Sequence, residues 1–172
     1  PGHNGAKAFT LLELILIMII LCTVLAMASP SLRGFFSSRQ LNDVAEQVLV
    51  MTRYAKIQSV FQGRYYRVNI DKNEHRCWIT VLGQKDYEPL LKGFGNDFLI
   101  PADIKLSFDE VLERAGIYYF EFNPQGFSKP GRVRLEDNQG NVLDVVCFSP
   151  SEYFEILEVV DGKDQYEQIP ID

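Results

Sequence analysis

Few residues of this chain could do chemistry, and they are scattered. Of two histidines, His3 stands near the start and His75 in a predicted turn two residues before Cys77. A Ser-His-Asp or Cys-His catalytic group would need His75, yet no supporting motif lies beside it, and a solvated turn histidine fits better. His75, Cys77 and Cys147 together could offer three zinc ligands, but neither CxxC nor HxxxH spacing is present. No P-loop or dinucleotide glycine pattern occurs. The residue pattern therefore implies no enzyme, no cofactor and no metal. Glu13 is different. It is the only charged residue between Phe9 and Ala28, where only Thr10 and Thr23 are otherwise polar. A carboxylate inside such a run costs roughly 2.5 kcal/mol or more in a membrane unless it is paired or shallow. No Lys or Arg shares the segment, so a partner must come from outside the helix; a protonated or snorkelling Glu13 is the alternative.

The elements that carry these residues follow from pattern. Twenty helical residues reach about 30 Å, a bilayer's hydrocarbon thickness, and the run is longer than a secretory h-region of about 7–15 residues. Residues 9–28 are therefore expected to be a transmembrane helix. Lys7 on one side and Arg33 and Arg39 on the other leave its orientation undecided by loop charge. Beyond Pro30, which with Ser29, Ser31 and Gly34 allows a kink or local melting, Leu41, Val44, Val48, Met51 and Ala55 recur at three- and four-residue spacing. They predict an amphipathic helix running to about Gln62, before Gly63. From Arg64 the period becomes two: Tyr66–Ile70 and Cys77–Val81 predict a hairpin across Asp71–Glu74, with further strands at Ile104–Phe108, Ile117–Phe122, Arg132–Leu135, Val142–Phe148 and Tyr153–Val160. Asn123-Pro124-Gln125-Gly126 and Asp137-Asn138-Gln139-Gly140 predict turns. Residues 82–100, with Gly83, Pro89, Gly93 and Gly95, show no clean period.

Charge is uneven. The chain of 172 residues has 23 acids and 17 bases, net −6. Seven of the acids and only Lys163 of the bases fall after Ser151, which leaves sixteen of each sign before it. With no basic run, the composition argues against a broad nucleic-acid surface. The acidic tail is expected as a solvated extension, with a partner-facing surface or weak cation binding around Asp161 and Asp164 as alternatives.

Lys7-Ala8-Phe9-Thr10-Leu11-Leu12-Glu13, leading into the apolar run, resembles the class III signal of type IV pilins and type II secretion pseudopilins. Pro30 falls where that family often has a proline, and Phe122-Asn123-Pro124-Gln125-Gly126 followed by the Gly131–Leu135 strand resembles the GspH/FimT minor pseudopilins. The family has Gly where this chain has Ala8. The resemblance implies an α+β, pilin-like fold: residues 1–8 a leader, 9–28 a transmembrane and filament-core helix, 29–62 its amphipathic half, and 63–172 an antiparallel β-rich periplasmic head with an acidic tail. It implies cleavage by prepilin peptidase between Ala8 and Phe9 and N-methylation of Phe9. It also implies a filament role for Glu13 in neutralising a neighbour's Phe9 amine.

Its further implications are an inner-membrane, single-pass location and partnership with other pseudopilins or pilins. The function implied is a structural subunit priming or capping a short pseudopilus of a type II secretion system, with a FimT-like minor type IV pilin, in pilus biogenesis or DNA uptake, as the alternative. In an exported head a disulfide between Cys77 and Cys147 is possible, and two buried free thiols on different strands are the other reading. Some FimT-type proteins bind DNA through a Gly-Arg-x-Arg element, which makes Arg132 and Arg134 weak candidates; the acidic tail opposes that role.

Overall fold

The computed structural model describes residues 10–90, 97–159 and 166–168, with side chains described for all of these except 27–37 and 166–168. The chain divides into two compact units, Pro1–Phe36 and Ser37–Asp172. One helix, α1 (Leu11–Gln62), runs through both.

In the first unit Thr10 starts α1: its hydroxyl and its carbonyl accept the Glu13 N–H at 3.2 and 3.1 Å. This places Glu13 at the third helical position of a Thr-x-x-Glu capping-box sequence, of which the Thr10 half is formed, beside the positive end of the helix dipole. Side chains from Thr10 to Ala26 are all exposed. The backbone stays helical through Pro30 and Gly34, so local melting is absent there; the Pro30 side chain, and with it the expected kink, lies outside the described residues. Among the described residues, no helix is long and apolar enough to cross a membrane.

In the second unit α1 is amphipathic as its spacing predicts. Leu41, Val44, Ala45, Val48, Met51 and Ala55 are buried. Thr52 and Ser59 also lie on this face, their hydroxyls donating to the carbonyls of Leu49 and Lys56. Gly63, at φ 62°, ends the helix, and Arg64 N–H returns to Ser59 O at 3.2 Å. That bond spans the interval of a Schellman cap, which needs a residue tolerant of positive φ.

Two antiparallel sheets follow. The first is built from β1 (Tyr66–Asp71), β2 (Arg76–Leu82), β3 (Tyr87–Pro89), β4 (Phe98–Leu99), β6 (Leu112–Arg114) and β7 (Ile117–Phe122), in the order β3-β2-β1-β7-β6 with β4 on β2. The second contains β5 (Lys105–Asp109), β8 (Gly131–Glu136), β9 (Val142–Cys147), β10 (Glu155–Val159) and β11 (Tyr166–Gln168), in the order β11-β10-β9-β8-β5. The hairpin across Asp71–Glu74 is in register Ile70↔Cys77 and Val68↔Ile79. Alternation then sends Tyr66, Val68 and Ile70 of one sheet and Val133, Leu135, Leu143 and Val145 of the other into a single core with the α1 stripe. Phe108 of β5 stacks on Tyr118 of β7, centroids 3.9 Å apart, joining the sheets.

Two loops lock onto the end of α1. Lys56, only 9% exposed, donates to the carbonyls of Ser151 at 2.7 Å and Glu152 at 2.6 Å, with its ammonium 4.4 Å from the Tyr153 ring centre. Burial pushes the Lys56 pKa down, while Cys147 and Glu152 oppose that shift. The Asn123–Phe127 turn is tied by Asn123 Oδ1, which accepts from Gln125 and Phe127. Its Gly126 has φ 79°, and a Cβ there would meet Val60 Cγ2 at 2.8 Å. The glycine is thus required twice, by backbone conformation and by close approach to the helix. Gly126→Ala is expected to destabilise the fold by about 1 kcal/mol or more. In a Val60→Ala background the loss should shrink but persist, as thermal denaturation of the four proteins in a double-mutant cycle will show.

Candidate assembly surfaces

The residues expected to do chemistry are held apart. Cys77, on β2, is completely buried with its thiol 3.6 Å from Met51 Sδ. Cys147 ends β9 in the other sheet, donating to Ser149 O at 3.1 Å. Both are buried free thiols, so the possible disulfide is not formed and the free-thiol reading holds; each is packed into its own sheet with its own partner. Burial raises both thiol pKa values, that of Cys77 to about 12. His75 adopts φ 49° in the turn before β2, with its Nδ1 buried and without a hydrogen-bond partner. No group of three or more metal-ligating side chains assembles among the described residues.

Arg132 and Arg134 lie on the face of β8 opposite the core, yet their guanidinium groups are engaged. Arg134 grips the wholly buried Asp144 with two bonds of 2.8 Å, and Arg132 reaches Asp144 at 3.4 Å and Asp109 at 2.8 Å. Two cations face two carboxylates. The pair is therefore a cross-strand clamp between β8, β9 and β5, and a phosphate bound there would have to displace short charge-assisted bonds.

The tail also differs from expectation. Rather than leaving β10 as a free extension, the chain returns as β11, with Glu167 opposite Glu158. Asp161, Lys163, Asp164 and Asp172 lie outside the described residues, as do Ala8 and Phe9.

The longest exposed apolar surface among the described residues is helical. Leu11, Leu12, Leu14, Ile15, Leu16 and their neighbours to Leu25 expose between 41% and 81% of their surface. Glu13, at the start of this run, is exposed, and no cationic partner for its carboxylate is found among the described residues. Contiguous exposed apolar surface on this scale marks a site of association.

This combination of helix and sheets has counterparts among solved structures. Two structures of the minor pseudopilin EpsH from the type II secretion system of Vibrio cholerae match with TM-scores of 0.53 and 0.58 at 14% and 12% identity, each covering 74% of this chain and 98% of the other. The chain has the minor-pseudopilin fold. The type IV minor pilin FimU of Pseudomonas aeruginosa is also matched, with a TM-score of 0.47 at 18% identity, over 70% of this chain and 96% of that one. No family model and no curated protein matches the sequence.

Within the pseudopilin fold three features escaped the sequence reading. Lys56 sits on the buried stripe of α1, where a lone lysine among Met51, Thr52, Ala55 and Ser59 was a readable signal. Asp144 interrupts the apolar run of β9 and was readable in the same way. Arg67 was not: its guanidinium lies 3.6 Å from the Tyr87 ring centre, 4.3 Å from that of Tyr119 and 2.7 Å from Glu121, and only strand register brings these together. Burial, and then the bond it donates to Glu121, push the Tyr87 phenol pKa up.

The Cys77 shift has a defined consequence. The unfolded chain loses this thiol proton near pH 9, whereas the folded protein keeps it to about 12. Folding therefore retains a proton that the unfolded state releases, and stability falls as pH rises through that window, by up to about 1.4 kcal/mol per pH unit from this group. Denaturant titrations between pH 8 and 11 should give a shallower decline for Cys77→Ala than for the native sequence. Equal slopes would show that the thiol titrates alike in both states.

Proposed function

We propose that this chain is a structural subunit that works by assembly rather than catalysis: a minor pseudopilin of a type II secretion system, helping to prime or cap a short periplasmic filament. The observation that carries the reading is the exposed apolar run from Leu11 to Leu25, opened by one acid and continuing in a helix whose later part belongs to a head of minor-pseudopilin fold. A head with its own closed core has no use for that run. A membrane before assembly and other pilin-like helices after it would both cover it.

In this reading prepilin peptidase removes residues 1–8, cutting after Ala8, and the new Phe9 amine is methylated. Residues 9–28 hold the protein in the inner membrane with the head in the periplasm. On assembly the Glu13 carboxylate of one subunit neutralises the Phe9 amine of a neighbour, since each charge is costly alone in a dry helical bundle and tolerable as a pair. The Arg132 and Arg134 clamp favours secretion over DNA uptake, because it leaves this element no ready phosphate site.

The capping box gives the test its control. Glutamine at position 13 can fill the same cap position as glutamate but carries no charge. Glu13→Gln is expected to leave helix content unchanged and to reduce co-assembly with pilin-like subunits several-fold, read by cross-linking in cells that express the whole system. Native-level assembly of Glu13→Gln would refute the charge-pairing role.

A further inference from the structure

The second sheet ends in β5, which among the described residues pairs with β8 alone. In an antiparallel pair every second residue turns its N–H and C=O away from the partner, so the outer side of Lys105–Asp109 carries unpaired backbone groups. Among the described residues, no backbone hydrogen bond outside the β8 pairing reaches this strand.

A cavity of about 390 Å³ lies against the first half of this edge. Lys72, His75, Lys105, Ser107 and Glu136 line it, over an apolar floor that includes Leu106. Its charge is unbalanced. Lys105 is 3.0 Å from Glu136, which leaves Lys72, exposed on the β1–β2 turn, without a carboxylate inside the cavity. His75 is pinned by its left-handed backbone and by the Ile100 N–H bound to its carbonyl at 2.7 Å, while its Nδ1 is buried and unpartnered. At the far end of β5, Asp109 is already paired with Arg132. The edge is therefore polarised: its first half carries the exposed Lys105–Glu136 pair with the positive charge of Lys72 in excess beside it, and its far end carries a neutralised carboxylate at Asp109.

A lysine on an edge strand is also an ordinary guard against unwanted pairing. That role accounts for Lys105 alone. It does not account for a cavity beside it, for a second lysine facing the same space, or for a buried ring nitrogen left without a bond. We propose that the free edge of β5 receives an extended acidic segment of a partner protein by strand addition, its carboxylates seated among Lys72, His75 and Lys105. Main-chain bonds to β5 supply affinity, and alternate side chains of the incoming strand supply specificity, those on one face meeting the lysines. That the partner is a neighbouring filament subunit rests on the assembly reading; the preference of this edge for an acidic strand does not.

The test uses the full chain in detergent micelles and the probe peptide acetyl-Glu-Val-Glu-Val-Glu-Val-amide, with the corresponding Lys-Val peptide as control. The acidic peptide is expected to slow hydrogen exchange at alternate amides of Lys105–Asp109 several-fold and to shift the His75 ring resonances. Its affinity should fall at least about tenfold in the Lys72→Glu, Lys105→Glu double variant. Both lysines are exposed, so the fold should survive, as an unchanged amide spectrum elsewhere will show. As a measurement independent of the variant, binding to the native sequence should weaken on raising salt from about 0.05 to 0.5 M. Unchanged β5 exchange at millimolar peptide, equal binding of the lysine peptide, or salt-insensitive binding would each overturn the proposal. None of these bears on Glu13, so failure here and failure of the assembly reading are separable.

Discussion

Both sheets of the head depend on one stripe of α1. Each sheet has an apolar face, and the same buried residues, Leu41 through Ala55, pack into the core that both faces share. Residues such as Val48 and Met51 are completely buried there. Truncating a buried side chain of this size to alanine typically costs about 2–5 kcal/mol, a large fraction of a small domain's stability. The helix is thus part of the head's core as well as the carrier of the exposed run, and its two roles are separated along its length.

Buried charge fixes the loops around that core. Lys56 holds the carbonyls of the β9–β10 connection, and the same stretch of helix receives Gly126 from the turn after β7. Asp144, fully buried, is held by two arginines across β8. Removing either member of such a group leaves the other desolvated and unpaired, which is why these residues act as clamps despite the modest net worth of buried ion pairs. The consequence for function is negative but informative: the basic residues of β8 serve the sheet.

Legibility followed length and period. The helix stripe and the strands of five residues or more were readable, because a 3.6 or a 2.0 repeat needs several residues to declare itself. The boundaries differ by a residue or two: β5 begins after Ile104, and β10 begins after Tyr153, whose ring packs on the Lys56 ammonium. The strands of two or three residues, β3, β4, β6 and β11, were not readable, since alternation over so short a span resembles any loop. Residues that meet only through pairing register, such as Arg67 with Glu121 or Arg134 with Asp144, were likewise hidden. The choice between a disulfide and two free thiols stayed open for a related reason: two cysteines on predicted strands carry no information on whether those strands share a sheet. Around Glu13 the sequence was more informative, because an acid in an apolar run is anomalous wherever the run goes, although its place in a capping box depended on where the helix begins.

The central claim is that the exposed run of α1 is a protein-binding surface in the assembled state. The most direct measurement is photo-cross-linking in cells that express the whole system, with a benzophenone amino acid placed at Ile17, within the run and away from the helix cap. The account predicts adducts with other pilin-like subunits, appearing only when those subunits are present. Adducts confined to lipid, with no protein partner under conditions of active secretion, would contradict it.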